Sequence, residues 1–198
     1  MNRFLLPAVL RTYINFTNDE IDILQKLAEV RHYKKKQVVL NFDEKEQYIS
    51  CVAKGLVRKH IMCGKRSVST EFAAEGSIIC SNSSLGNQLP SAYSIEALEA
   101  TILISFTLDS LNYLYNKSPV FFKFGKIIIA QSMLKCEERE IMLMKYDAAG
   151  RFNFFMKTKG DLFLRLPQKM IASYLNIQPE TFSKLKRQSS LKPSFQIL

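Results

Sequence analysis

Arg165-Leu-Pro-Gln-Lys-Met-Ile-Ala-Ser-Tyr-Leu-Asn-Ile-Gln-Pro-Glu-Thr-Phe-Ser-Lys-Leu-Lys-Arg187 reads as two short helices joined by a tight turn. Pro167 suits a first helical position, where its missing N–H leaves nothing unpaired. Ile171, Tyr174 and Leu175 recur at helical spacing and give the first helix an apolar face. Asn176 tolerates the left-handed conformation that such a turn requires, and Ile177 is apolar enough to plug it. Pro179 then restarts the chain as a second helix, with Glu180 in its first turn where the helix dipole favours negative charge.

The second helix sorts its residues by chemistry. Phe182 and Leu185 point one way, and Glu180, Ser183, Lys184 and Arg187 the other. A helix held by its apolar side and presenting donors and acceptors outward meets the requirements for reading base edges in a DNA major groove. A helical hairpin that only closes a core has the same pattern, so spacing alone leaves both readings open.

The run Pro-Gln-Lys-Met-Ile-Ala-Ser-Tyr-Leu-Asn-Ile-Gln-Pro-Glu-Thr-Phe-Ser-Lys resembles the helix-turn-helix signature of the Crp/Fnr family of bacterial transcription regulators. That resemblance implies an α+β chain in three parts. Residues 1–117 would form a jelly-roll-like, cyclic-nucleotide-binding-like β-roll, 118–146 a long dimerisation helix, and 147–198 a winged helix-turn-helix. It also implies a homodimer reading a palindromic site in double-stranded DNA with the helix around 179–188, and RNA polymerase as a further partner. Glu180 falls at the family's base-reading glutamate and Lys184 at a position that is usually arginine. Gln168, Lys169, Thr181, Ser183, Lys186 and Arg187 complete the expected DNA-binding set. Asn176 stands in place of the usual turn glycine. Gln178 replaces the usual Ser or Thr cap and is a weaker N-cap than either.

Charge agrees with that assignment. Of the 28 basic and 18 acidic residues, 10 and 3 lie from Lys145 onward, leaving 18 and 15 before it. The C-terminal quarter therefore carries +7 of the net +10, an electrostatic footprint for a polyanion.

Ahead of this region the chain reads as a helix followed by many short strands. Thr17-Asn-Asp-Glu20 has capping-box spacing, continued by Ile21, Leu24 and Leu27. Tyr33-Lys-Lys-Lys36 reads as a solvated loop leading into Val38-Val39-Leu40. Strand-like runs follow at Tyr48–Ala53, Leu56–Met62, Ser67–Phe72, Tyr93–Ala97 and Ile102–Phe106, punctuated by Gly55, Gly64, Gly76 and Gly86. Such a series predicts a small β-barrel or jelly roll. Thr107 and Asp109 cap a short helix through Tyr115, and Ser118-Pro119 opens the longest helix, to about Lys145. In that helix Val120, Ile127, Leu134 and Ile141 make one seven-residue ladder, and Phe122, Ile129, Cys136 and Leu143 another. Two stripes imply two burial partners. Both could meet one protomer's core; the family resemblance favours the β-roll for one stripe and the same helix of a second subunit for the other. Asp147-Ala-Ala-Gly150 breaks the helix as a hinge, Arg151–Lys157 resumes it, and Gln188–Leu198 reads as a tail or final strand.

The sensor cassette departs from the family's nucleotide-binding pattern. Nucleotide-binding members carry a Gly-Glu pair and then an Arg-Ser-Ala or Arg-Thr-Ala run. Here Gly76-Ser-Ile-Ile-Cys-Ser-Asn-Ser-Ser-Leu-Gly-Asn-Gln-Leu-Pro90-Ser91-Ala92 keeps Ser91 and Ala92, puts Pro90 where the arginine belongs, and has Cys80-Ser81 for Gly-Glu. Cys80, Ser81, Ser91 and Ala92 are the candidate ligand-binding residues of a degenerate site. The expectation is that cyclic AMP is not bound in the standard way, and that the site holds a different, less anionic small molecule or nothing, with control by protein level alone.

Other classes find little support. His32 and His60 are the only histidines and have no partner at ligand spacing, so no cofactor, metal or catalytic set is implied. The four cysteines, Cys51, Cys63, Cys80 and Cys136, make no CxxC pair and read as reduced thiols of a cytoplasmic protein. Phe4–Leu10 is short, interrupted by Pro7 and closed by Arg11, which predicts no membrane span. The alternative to DNA binding is a small-ligand module whose C-terminal helices dock a protein partner.

Overall fold

The computed structural model describes residues 13–190. The Phe4–Leu10 run with Arg11, and the tail and any wing beyond Ser190, lie outside the described residues. The chain divides into two compact units, 1–62 with 70–132, and 63–69 with 133–198, so the division falls inside the long helix.

In the first unit, α1 (Asn18–Leu27) starts at the capping box expected of it. Thr17 accepts from Glu20 N, and the Glu20 carboxylate accepts from Thr17 N at 2.8 Å. Eight strands follow: β1 (Glu29–Tyr33), β2 (Val38–Leu40), β3 (Tyr48–Lys54), β4 (Val57–Cys63), β5 (Arg66–Ala73), β6 (Ile78–Ile79), β7 (Ser94–Ala97) and β8 (Thr101–Thr107). They form two four-stranded sheets, ordered β1-β8-β3-β6 and β2-β7-β4-β5. Periodicity did not reveal β1, whose Val30 and His32 are exposed, nor the two-residue β6. A short helix, α2 (Asn82–Asn87), lies inside the cassette segment and was also unanticipated.

Two apolar clusters hold this unit. Leu40, Val52, Val57, Ala73, Ile79, Ile95 and Leu103 make one of them. Ala53, Ile104 and Phe106 are buried in the other with Phe16, Ile21, Leu24, Leu114, Phe121, Phe124 and Ile128. Leu114 belongs to α3 (Leu108–Lys117), capped by Thr107, and the last three to α4 (Pro119–Lys145).

The packing face of α4 corrects the two-ladder reading. Phe121, Phe124 and Ile128 are buried, and none of them lies on either seven-residue ladder. The first half of α4 is apolar almost all round, so spacing fits several stripes equally. Aromatic volume decides among them: the Phe16 ring meets Phe121 at 5.9 Å and Phe124 at 5.3 Å. Of the first ladder, Val120 is half-buried against this cluster, while Leu134 and Ile141 are exposed. Of the second ladder, Phe122, Ile129 and Cys136 are exposed, with Met133 beside them.

In the second unit, α5 (Ala148–Lys159) begins three residues earlier than the sequence suggested. Asp147 caps it, accepting from Gly150 N at 2.8 Å, so Ala148-Ala-Gly150 form its first turn and the break contracts to Tyr146-Asp147. A 3-10 turn (Gly160–Leu162) leads to α6 (Gln168–Tyr174) and α7 (Pro179–Ser190). Pro167 is the N-cap of α6 and not its first residue, and α7 runs three residues past Arg187.

Candidate nucleic-acid interface

The α6-turn-α7 unit is built on a core of side chains from three helices. Phe155 and Ile171 are fully buried, as are Leu175 and Phe182. Phe182 anchors α7, its ring 5.6 Å from Phe152 and 6.2 Å from Phe163. Burying a side chain of that size is worth roughly 1.5–3 kcal/mol, which ties the helix to its support along one face.

The turn is fixed by backbone and side-chain bonds together. Asn176 has φ +52°, the left-handed conformation that suits Asn. Ile177 N donates to Ala172 O at 3.0 Å and its side chain is half-buried. Arg151, at the start of α5, spans the junction. Its guanidinium donates to Leu143 O at 2.7 Å, to Tyr146 O at 2.9 Å, and to Leu175 O and Asn176 O at 3.3 Å each. One side chain thus satisfies carbonyls at the end of α4 and at the turn, which would otherwise be left open. The Ser173 hydroxyl accepts from Ser69 N at 2.9 Å and donates to Ser67 O at 3.1 Å. Arg139 donates to Ser69 O at 3.3 Å and lies 5.3 Å from the Tyr174 ring. Sequence reasoning passed over Arg151, Arg139 and Ser173, because a long-range bond to a backbone carbonyl leaves no local pattern.

Apart from Pro179, what remains outward on α7 is polar. Glu180, Ser183, Lys184 and Arg187 are exposed, as are Gln168 and Lys169 on α6. Thr181 and Lys186 are half-buried, and the Lys186 ammonium lies 5.8 Å from the Phe163 ring centre. The Ser183 hydroxyl donates back to Pro179 O at 3.0 Å. Six of the eight expected residues therefore share exposed positions on α6 and α7.

The cassette of the first unit is a second candidate site, and the chain's own groups occupy it. Cys80, Ser81 and Ser91 are buried, and Ala92 is exposed. The Ser91 hydroxyl lies 2.8 Å from that of Ser81, and the Cys80 thiol donates to Asn82 Oδ1 at 3.0 Å. Glu46 supplies a carboxylate that no sequence pattern placed here. It accepts from Ser81 N at 3.2 Å and from Gln47 N and Tyr48 N at 3.1 Å each. Burial raises its pKa, against those three N–H groups and the nearby Arg31 charge. On β4, Lys59 pairs with Glu71 at 2.8 Å and donates to Cys80 O at 3.3 Å. Burial is the largest single influence and works against that ammonium, but Glu71 together with Cys80 and Tyr93 holds the pKa above the ordinary lysine value. The neighbouring Arg58 pairs with Glu96 at 2.9 Å. Charged residues in mid-strand, Arg58-Lys59-His60, were the available signal for such pairs.

Among the described residues no group of three His, Cys, Asp or Glu side chains could hold a metal, and no helix is long and apolar enough to cross a membrane.

No family model and no curated protein matches the sequence. Solved structures match over most of their length. FixK2 from Bradyrhizobium japonicum is 19% identical, with 86% of this chain and 89% of that chain covered at a TM-score of 0.72. A CooA variant from Carboxydothermus hydrogenoformans is 18% identical over 85% and 78%, at 0.70. A putative Crp/Fnr family transcriptional regulator from Eubacterium rectale is 14% identical over 89% and 84%, at 0.66. A mixed helix and antiparallel-sheet fold of the cyclic-nucleotide-binding kind is the class these likenesses define. More particularly, it is the fold of Crp/Fnr family regulators.

Proposed function

We propose that this chain is a DNA-binding transcription regulator acting as a homodimer, with α7 as its recognition helix. The observation that carries the reading is the division of α7. Phe182 is wholly buried, while Glu180, Ser183, Lys184 and Arg187 stand exposed on a helix whose turn is clamped by Arg151. Rigid support and outward hydrogen-bonding groups are what base readout requires. Glu180 accepts from a cytosine amino group and Lys184 donates to guanine. Lys169, Lys186 and Arg187 grip phosphates, with Gln168 beside them.

The exposed apolar residues Phe122, Ile129 and Met133 on α4 give the homodimer its seam, and a two-fold pair matches a palindromic site with half-sites about 34 Å apart. In the sensor unit, the Glu46 carboxylate is met by backbone N–H groups, the hydroxyls of Ser81 and Ser91 bond one another, and Pro90 offers no charge. Standard binding of cyclic AMP is therefore not expected. RNA polymerase is a further partner on this reading.

Selection of bound fragments from a random duplex library tests the main claim. A two-fold motif supports it; equal binding to all duplexes, or a protein that stays monomeric in light scattering, refutes it. Titration calorimetry tests the sensor claim, and micromolar binding of cyclic AMP or cyclic GMP would overturn it.

A further inference from the structure

The first residue of the recognition helix carries information that its polar neighbours do not. Pro179 opens α7 and is exposed. It has no N–H, and the Ser183 hydroxyl already donates to its carbonyl at 3.0 Å. Its ring can therefore contribute only an apolar contact. Helical Cα–Cβ bonds tilt toward the N-terminus, so a first-turn side chain projects ahead of the helix end, the part that enters the groove. Glu180 follows it, and Lys184 lies one turn beyond.

In the major groove only thymine presents an apolar group, its 5-methyl. The other base edges there offer donors and acceptors, which a proline ring cannot pair and would desolvate. The Ser183 hydroxyl, its proton committed, is left as an acceptor and does not compete for the thymine O4.

We propose that Pro179 is a specificity-determining residue that reads the 5-methyl group of one thymine in each half-site, beside the base pairs met by Glu180 and Lys184. The inference rests on the DNA-reading role proposed above. Covering one methyl group is worth about fourfold in affinity per half-site, and about 15-fold over two.

The test uses the full-length chain and its selected duplex, with each thymine of the half-site replaced in turn by deoxyuridine, which lacks only the methyl. Fluorescence anisotropy should show weakened binding at one position, by about 15-fold when both half-sites are changed. Pro179→Ala should bind the parent duplex more weakly and be indifferent to uracil at that position. Pro179→Arg should exchange the thymine preference for guanine there. Wild-type indifference to uracil at every position overturns the inference while leaving sequence-specific binding intact. So does a Pro179→Ala protein that keeps the whole uracil effect. Failure to prefer any duplex overturns the DNA reading itself, and this inference with it.

Discussion

Replacing Ile129 by glutamate should take the dimer apart without unfolding either protomer. Ile129 and Met133 are each 60% exposed and Phe122 is 51% exposed, all on α4. Full burial of such a side chain is worth roughly 1.5–3 kcal/mol, so about 1–2 kcal/mol remains to be gained at Ile129. In a symmetric pair the residue occurs twice, giving about 2–4 kcal/mol per substitution. Glutamate forfeits that gain and adds two carboxylates to be desolvated without partners. The dimer Kd should therefore rise at least about 30-fold. Sedimentation velocity across a concentration series measures it, and the Gln131→Glu control changes charge at another exposed position of α4. DNA affinity should fall with dimer affinity, because a lone protomer holds a single half-site. An Ile129→Glu protein that sediments as the wild type would refute the seam.

Gly55→Ala should be the most damaging single-methyl change. Gly55 has φ +97°, and an added Cβ would lie 2.7 Å from Ala100 O and 2.8 Å from Thr101 Cα, backbone atoms that cannot move aside. Strain and overlap together should cost about 3–5 kcal/mol in urea unfolding, and a loss under 1 kcal/mol would contradict the geometry. His60 is buried with an unpaired Nδ1, and burial followed by the Arg58 charge lowers its pKa below 6.5. The unfolded chain therefore binds the proton first, and stability should fall as pH drops below about 6.5, by at most about 1.4 kcal/mol per unit. His60→Phe should flatten that slope in unfolding curves at pH 5.5 and 7.5. Glu180→Ala should relax preference at one base pair, at a cost of roughly 1–3 kcal/mol, whereas Lys186→Ala should weaken all sequences alike and reduce the salt slope by about one. Binding assays over a salt series separate the two.

What the sequence disclosed follows from which interactions are local. The capping box at Thr17 and Glu20, the left-handed turn at Asn176, and the placing of Phe182 on the apolar face of α7 all depend on residues within a turn of one another. They were legible for that reason. The face of α4 was not, because Val120, Phe121, Phe122 and Phe124 offer apolar side chains on several sides. The choice of Phe121 and Phe124 is made by Phe16, more than 100 residues earlier in the chain. Gly150 misled in the opposite sense. Read as a breaker, it sits in the first turn of α5, where its N–H meets the Asp147 cap. Helical spacing named Glu180, Ser183, Lys184 and Arg187, and the family resemblance added Gln168, Lys169, Thr181 and Lys186, but neither pointed to Arg151, which clamps their turn. Its four carbonyl partners come from Leu143, Tyr146, Leu175 and Asn176, and no periodicity links them.

The same distinction bears on how such a regulator would be controlled. In the sensor unit the Glu46 carboxylate already accepts three backbone N–H bonds, and the Lys59 ammonium is committed to Glu71 and the Cys80 carbonyl. An incoming phosphate would have to compete with these groups, and the half-buried Lys59–Glu71 pair would have to separate before its ammonium could serve a newcomer. Charge-assisted bonds to the newcomer would return roughly 1.5–3 kcal/mol each, but Pro90 stands where the principal donor is absent. The balance opposes an anionic effector at the cassette. If the chain pairs along the exposed α4 stripe as proposed above, the free energy that remains adjustable is that of this association, which varies with the concentration of the chain itself. On this reading occupancy of a two-fold site rises steeply with protein level, because assembly of the pair and capture of both half-sites draw on the same equilibrium.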